Sequence, residues 1–192
     1  MADLDYTNYF WAGEKVRLRG LTEDDAESAF ANTLDSPGRE MLQLGIELPT
    51  SVEALRAELG KRANCKEVDG VILFAIEDQG GACVGGVSLH TPSLKNGTFG
   101  FGVNVHAPHR GKGYATDAVR ILLKYCFHAR RFQKCNSACV ETNAASIALH
   151  KKLGFVEEGR RRRHLFLDGR FYDDILFGLT REEFDATFAK GS

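Results

Sequence analysis

The chain has 192 residues, of which 43% are hydrophobic, 27% charged and 10% aromatic. That length and balance fit one domain spanning 1–192 with a sizeable core, and exclude a disordered or fibrous chain. The formal net charge is −1, so no overall field draws the chain to nucleic acid or to a membrane surface.

The first ten residues, MADLDYTNYF, carry acids where a signal peptide has basic residues. No apolar run approaches the ~18 residues of a membrane span, so a cytoplasmic protein is expected. Residues 14–21, EKVRLRGL, predict a first strand. Thr22 follows as a helix N-cap, with Asp25 three residues on in a near capping-box pattern. SPG at 36–38 is expected to break that helix. A second helix over 50–63 is capped by Thr50 or Ser51 and spaced by Val52, Leu55 and Leu59. Residues 70–78, 82–90 and 98–105 predict three consecutive antiparallel strands, the last hairpin closed by Asn96-Gly97.

The pattern then changes. A glycine-rich turn, HRGKGYAT at 109–116, leads into a helix whose apolar residues Ala115, Val119, Leu122, Leu123 and Cys126 share one face. KCNSACVE at 134–141 predicts a strand reached by a parallel crossover. Cys135 and Cys139 share a face of it as small core hydrophobes. The five cysteines are odd in number with no Cys-x-x-Cys pair, which disfavours a disulfide framework or a zinc site, and no metal is expected. NAASIALHKKLG predicts a short helix ending at Gly154, then a terminal hairpin turning at Asp168-Gly169, and a last helix over 180–189. In that hairpin RRRRH (160–164) invites a nucleic-acid reading. Strand alternation instead places Arg160 and Arg162 on one face and Arg161 and Arg163 on the other, as charges guarding an exposed edge. That edge offers a homodimer surface.

A glycine turn between strand and helix suits phosphate. A nucleoside-triphosphate loop needs Lys-Ser/Thr after its last glycine, but Tyr114 follows Gly113. A dinucleotide fingerprint needs a third glycine where Thr116 stands, and a doubly wound sheet where three antiparallel strands lie upstream. A tight turn without ligand stays open on these eight residues alone.

RGKGYA fits the pattern [QR]-x-x-G-x-[GA]. With NAAS after the next strand, LHKKLGF closing the next helix, and LDGRFYD in the terminal hairpin, the chain resembles the GNAT acetyltransferases. Within them it is most similar to the branch of ribosomal-protein N-terminal acetyltransferases. The resemblance implies an α/β fold with a mixed, mostly antiparallel sheet and a β-α-β core for acetyl-CoA, used as co-substrate. It implies pyrophosphate contacts from Arg110, Gly111, Lys112, Gly113, Tyr114 and Ala115, with Thr116 joining. It implies that the strand before the turn splays from its parallel neighbour, so that the backbone of Val103, Asn104 and Val105 bonds the pantetheine arm and the acetyl carbonyl. Asn143 would hold the same arm, or cap the following helix, or both. Phe155 would be core.

Direct transfer needs a neutral amine and an acid for the departing thiolate. An α-amine, with a reference pKa of about 7.7–8.0, needs less base help than a lysine-like amine at about 10.4. At the position where many members of the family carry a tyrosine as general acid, this chain has His150, either a donor near neutral pH or a residue on an exposed helix face. Ser146 matches a serine used near the sulfur, or is a plain helix residue. Glu141 is a base candidate at the end of its strand, or a solvated strand end. Asp173 is expected to be structural or to position the acceptor, Tyr172 is a further donor, and His164 stands where some relatives have a glutamate. The implied function is N-acetylation of an amine, with a peptide N-terminal α-amine foremost. Alternatives are a polyamine or aminoglycoside acceptor, or a non-catalytic acyl-CoA sensor. Glu40 and Glu47, in the loop over the acceptor cleft, could attract a cationic acceptor.

Overall fold

The computed structural model of the protein describes residues 5–42 and 48–188; Glu47 and the end of the predicted last helix lie outside them. Helices and strands follow the expected order, with one short helix, Ser36–Met41, added where only a break was expected. They are β1 (Val16–Arg19), α1 (Ala26–Thr33), α2 (Ser36–Met41), α3 (Val52–Arg62), β2 (Val71–Asp78), β3 (Cys83–Ser93) and β4 (Thr98–Val105). After these come α4 (Tyr114–Lys124), β5 (Lys134–Val140), α5 (Ala144–Lys152), β6 (Val156–Leu167), β7 (Arg170–Thr180) and α6 (Arg181–Phe188). No helix among the described residues is long and apolar enough to cross a membrane.

The local signals act much as their chemistry dictates. Thr22 donates its N–H to the Asp25 carboxylate at 2.9 Å. Ser51, not Thr50, caps α3, accepting the Ala54 N–H at 3.2 Å. SPG does end α1, and it also starts α2. Pro37 lacks an N–H that the first helical turn would leave unsatisfied anyway, and Asp35 caps the turn from Gly38.

The strand order is β1-β2-β3-β4-β5-β7-β6. Every neighbouring pair is antiparallel except β4 and β5. Alternation along β4 and β5 turns Phe99, Phe101, Cys135 and Cys139 toward the face that α4 and α5 cover. Phe99 packs against Phe127 and Phe132 at 5.4 and 5.2 Å, and Phe101 against Phe155 at 5.8 Å. Of the predicted face, Val119, Leu122 and Leu123 of α4 and Cys126 just after it are fully buried there, and Ala115 is half-buried. Each such leucine contributes about 1.5–3 kcal/mol. The parallel pairing of β4 with β5 covers only Thr98↔Lys134, Phe99↔Cys135 and Gly100↔Asn136. Beyond Gly100 both strands run on without touching, which leaves a wedge in the middle of the sheet.

The terminal hairpin turns at Asp168-Gly169 with positive φ at both residues, and β6 is the outer edge. The simple alternation expected for its arginines does not hold. The register shifts between Arg161 and Leu165 and Arg163 takes φ +53, a bulge that turns the edge strand away from further pairing. Arg160 pairs with Glu157 at 2.9 Å, Arg161 reaches the buried Asp174, and Arg163 lies 5.4 Å over the Phe171 ring.

Candidate active site

The wedge opens into a cavity of about 890 Å³. Phe101, Gly102, Val103, Asn104 and Val105 form one wall and Ser137, Ala138 and Cys139 the other. The glycine turn closes one end, α5 forms the floor, and Gly38, Met41 and Leu42 stand at the rim. The β5-facing edge of β4 beyond Gly100 is backbone without a strand partner. It can bond an extended ligand as a strand would.

Gly111 and Gly113 take φ +78 and +86, a left-handed conformation that costs other residues roughly 1–2 kcal/mol. Gly113 thereby becomes the N-cap of α4. The first N–H groups of that helix have no intrahelical acceptor, and Gly113, Tyr114, Ala115 and Thr116 line the cavity. Backbone so arranged can hold an anion. The charges around it differ from expectation. Arg110 Nε donates to the Val105 carbonyl at 3.0 Å, and its guanidinium pairs with Asp35 at 2.5 Å. Arg110 beside it holds the Asp35 carboxyl below the usual range. Arg110 therefore braces the turn, with its charge already met. Lys112 is exposed, its ammonium 5.9 Å over the Tyr114 ring.

A second lysine arrives from 97 residues away. Asp117, buried in the first turn of α4, accepts the N–H groups of Lys15 at 2.7 Å and Val16 at 3.1 Å. This ties the start of β1 to the helix. The Lys15 ammonium then donates to the Lys112 carbonyl at 2.9 Å, and a Cβ at Gly113 would lie 3.0 Å from it. No local pattern marks Lys15, because only the tertiary contact through Asp117 brings it to the turn.

A family model for the acetyltransferase (GNAT) domain matches residues 15–156. The chain belongs to the GNAT acetyltransferase family. YokL of Bacillus subtilis, an uncharacterised N-acetyltransferase derived from the SPbeta prophage, is 34% identical over 92% of this chain and 96% of its own length. YdaF of the same organism, provisionally named a ribosomal N-acetyltransferase, is 26% identical over 90% of this chain and 94% of its own. The solved spermidine N-acetyltransferase of Vibrio cholerae, in complex with CoA and spermine, superposes with a TM-score of 0.76 at 21% identity, covering 88% of this chain and 97% of that one. This GNAT protein is accordingly an acyltransferase, an acetyl-CoA-dependent N-acetyltransferase.

In this GNAT chain α5 delivers Asn143, Ser146 and His150. Asn143 caps the helix, its Oδ1 accepting the Ser146 N–H at 3.0 Å while its Nδ2 donates to the Met41 carbonyl at 3.1 Å. Both ends of that amide are engaged inside the protein. Ser146 lines the cavity, within hydrogen-bond reach of the Cys139 thiol, which burial pushes up and that bond partly lowers. Cys139 is thus held as a neutral thiol.

His150 does not lie on an exposed helix face. It is 2% exposed, stacked 4.5 Å from Phe177 at 12° between planes. Its Nδ1 lies 2.7 Å from the Ser146 carbonyl, and its Nε2 lies 2.8 Å from Ser137 Oγ. A carbonyl only accepts, so Nδ1 carries the proton and the Ser137 hydroxyl donates to Nε2. Burial also pushes this imidazole below its ordinary value, against a smaller raising effect from the Ser146 bond. In that neutral tautomer Nε2 has no proton to give.

Glu141 stands just past β5, turned to the neighbouring strand. Its Oε1 accepts the Asp173 N–H at 2.9 Å, and its own N–H donates to the Asp173 carbonyl at 3.0 Å. Asp173 in turn accepts the Arg163 N–H at 2.9 Å. Glu141 and Asp173 therefore fasten the hairpin to β5, and neither lines the cavity. Tyr172 is half-buried opposite Leu165, and His164 is exposed on the edge strand.

Proposed function

We propose that the protein moves the acetyl group of acetyl-CoA directly to the α-amine of a peptide or protein N-terminus. The observation that carries this reading is the cavity wall. Among the described residues lining it there is no carboxylate. A polyamine acceptor keeps further ammonium groups that need acids to hold them. A single α-amine is partly neutral at physiological pH and needs none.

In this reading the pyrophosphate rests on the N–H groups from Gly111 to Ala115, with Thr116 at its side and Lys15 and Lys112 supplying charge. Arg110, also at the cavity wall, holds the turn through Val105 and Asp35. The pantetheine arm runs along the free edge of Val103, Asn104 and Val105, where one N–H also faces the oxyanion as the thioester is attacked. Asn143 acts by setting the start of α5. Ser146 gives its proton to the departing thiolate, since the one proton of neutral His150 sits on Nδ1 and is held by the Ser146 carbonyl.

Thiol release from acetyl-CoA, followed over a panel of peptides, spermidine and an aminoglycoside, tests the acceptor. Fast release with peptides and little with spermidine is the expected result. The reverse order establishes the second reading, polyamine acetylation, which the spermidine N-acetyltransferase of Vibrio cholerae favours by likeness of fold. Glu40, half-buried just before the rim, would then be a candidate for holding the cation.

A further inference from the structure

We propose that His90 takes the proton from the attacking amine. This rests on the transferase reading above. His90 lies on β3 directly opposite Gly100, the last residue of β4 that pairs with β5. Phe99 and Phe101 face α4 and α5, so by alternation Gly100 and Gly102 face the other way, and His90 lies with them. The acyl donor is held from the side of the helices. The amine must then come from the side of His90.

The two glycines make room for the ring. A Cβ at Gly100 would stand 2.9 Å from His90 Cε1 and 3.0 Å from Nδ1, and one at Gly102 would stand 3.8 Å from Nε2. The imidazole thus lies across bare backbone with Nε2 directed along β4 toward Gly102. That is one or two residues, at about 3.3 Å each, from the amides assigned to the thioester, a span that one water bridges. Nδ1 is 3.5 Å from the Thr91 hydroxyl, and Nε2 has no hydrogen-bond partner among the described residues. His90 lines the cavity and is half-buried. The other histidines of the cavity are less suited. His150 has both nitrogens engaged, and His109 belongs to the phosphate turn.

The step balances without a further reagent. The amine lone pair attacks the thioester carbon, its N–H proton passes to His90 Nε2, and the C–S bond breaks. The thiolate takes the Ser146 proton, and solvent exchange returns both residues to their starting states.

The test uses the full chain with acetyl-CoA and two peptides that differ only at the N-terminus, one with an α-amine and one with the more basic amine of β-alanine. For His90→Ala we expect kcat to fall about a hundredfold, more for the basic amine, with acetyl-CoA affinity by calorimetry unchanged and free imidazole restoring part of the rate. Gly100→Ala should lower kcat in the same way by displacing the ring. His90→Gln, checked for a parental melting temperature, guards against a folding defect. An unchanged kcat in His90→Gln, or an equal loss on both amines without imidazole rescue, overturns the proposal. A parent that binds acetyl-CoA yet acetylates no amine overturns the transferase reading, and the base assignment goes with it.

Discussion

Single residues decide the donor site, and the glycine turn shows how. At Gly113 the backbone is left-handed and Lys15 stands 3.0 Å from where a Cβ would be. Gly113→Glu should therefore strain the cap by about 1–2 kcal/mol and set a carboxylate against the phosphates. Acetyl-CoA affinity should fall by more than about tenfold, read by calorimetry; an unchanged affinity would remove the pyrophosphate from this turn. Ser146→Ala should act on the other quantity, lowering kcat roughly tenfold or more while leaving acetyl-CoA affinity near the parent's. The turn was legible in the sequence because two glycines and a following helix are local facts. The role of Arg110 was not, because its partner Asp35 is 75 residues away. The sequence leaves His150 open between a donor and an exposed helix face for a similar reason, and the structure buries it. Its neighbours Phe177, Ser137 and Phe101 come from three other elements, and nothing in the pattern of α5 alone shows which side they cover.

At the scale of elements, the caps are what the sequence encodes best. Asn143 joins the start of α5 to the end of α2 through the Met41 carbonyl. Asn143→Ala should cost roughly 1–2 kcal/mol in urea unfolding, about 1 of it from the lost cap, and it should loosen the rim of the cleft. The faces of α4 and β5 followed from period alone, since apolar spacing states which side is buried. The arginine-rich strand did not follow the same rule. A bulge between Arg161 and Leu165 is set by pairing with β7, and alternation in one strand carries no sign of it. The short α2 was missed because a Ser-Pro-Gly stretch stops one helix and suits the first turn of another equally well.

For the whole molecule, burial of neutral histidines predicts how stability depends on pH. Burial holds both His150 and His106 below the ordinary value of 6.5. Below pH 6.5 the unfolded chain therefore binds protons that the folded chain does not. Their share of stability is complete above pH 6.5 and is lost as pH falls toward the folded values. The melting temperature should hold from pH 8 to 7 and decline from pH 6.5 to 5. His150→Phe, which keeps the stack on Phe177 without a titrating group, should flatten that decline. A slope equal to the parent's would show that His150 is not the proton acceptor. By itself the sequence determined the order of the strands, the starts of the longer helices and the glycine turn before α4, because these depend on residues a few positions apart. Only the tertiary structure decided that β4 parts from β5 after Gly100, that Asp117 brings Lys15 to the glycine turn, and that His90 lines the cavity. Periodicity states which face of an element is buried, whereas the partner that covers it is chosen by the packing of the whole sheet.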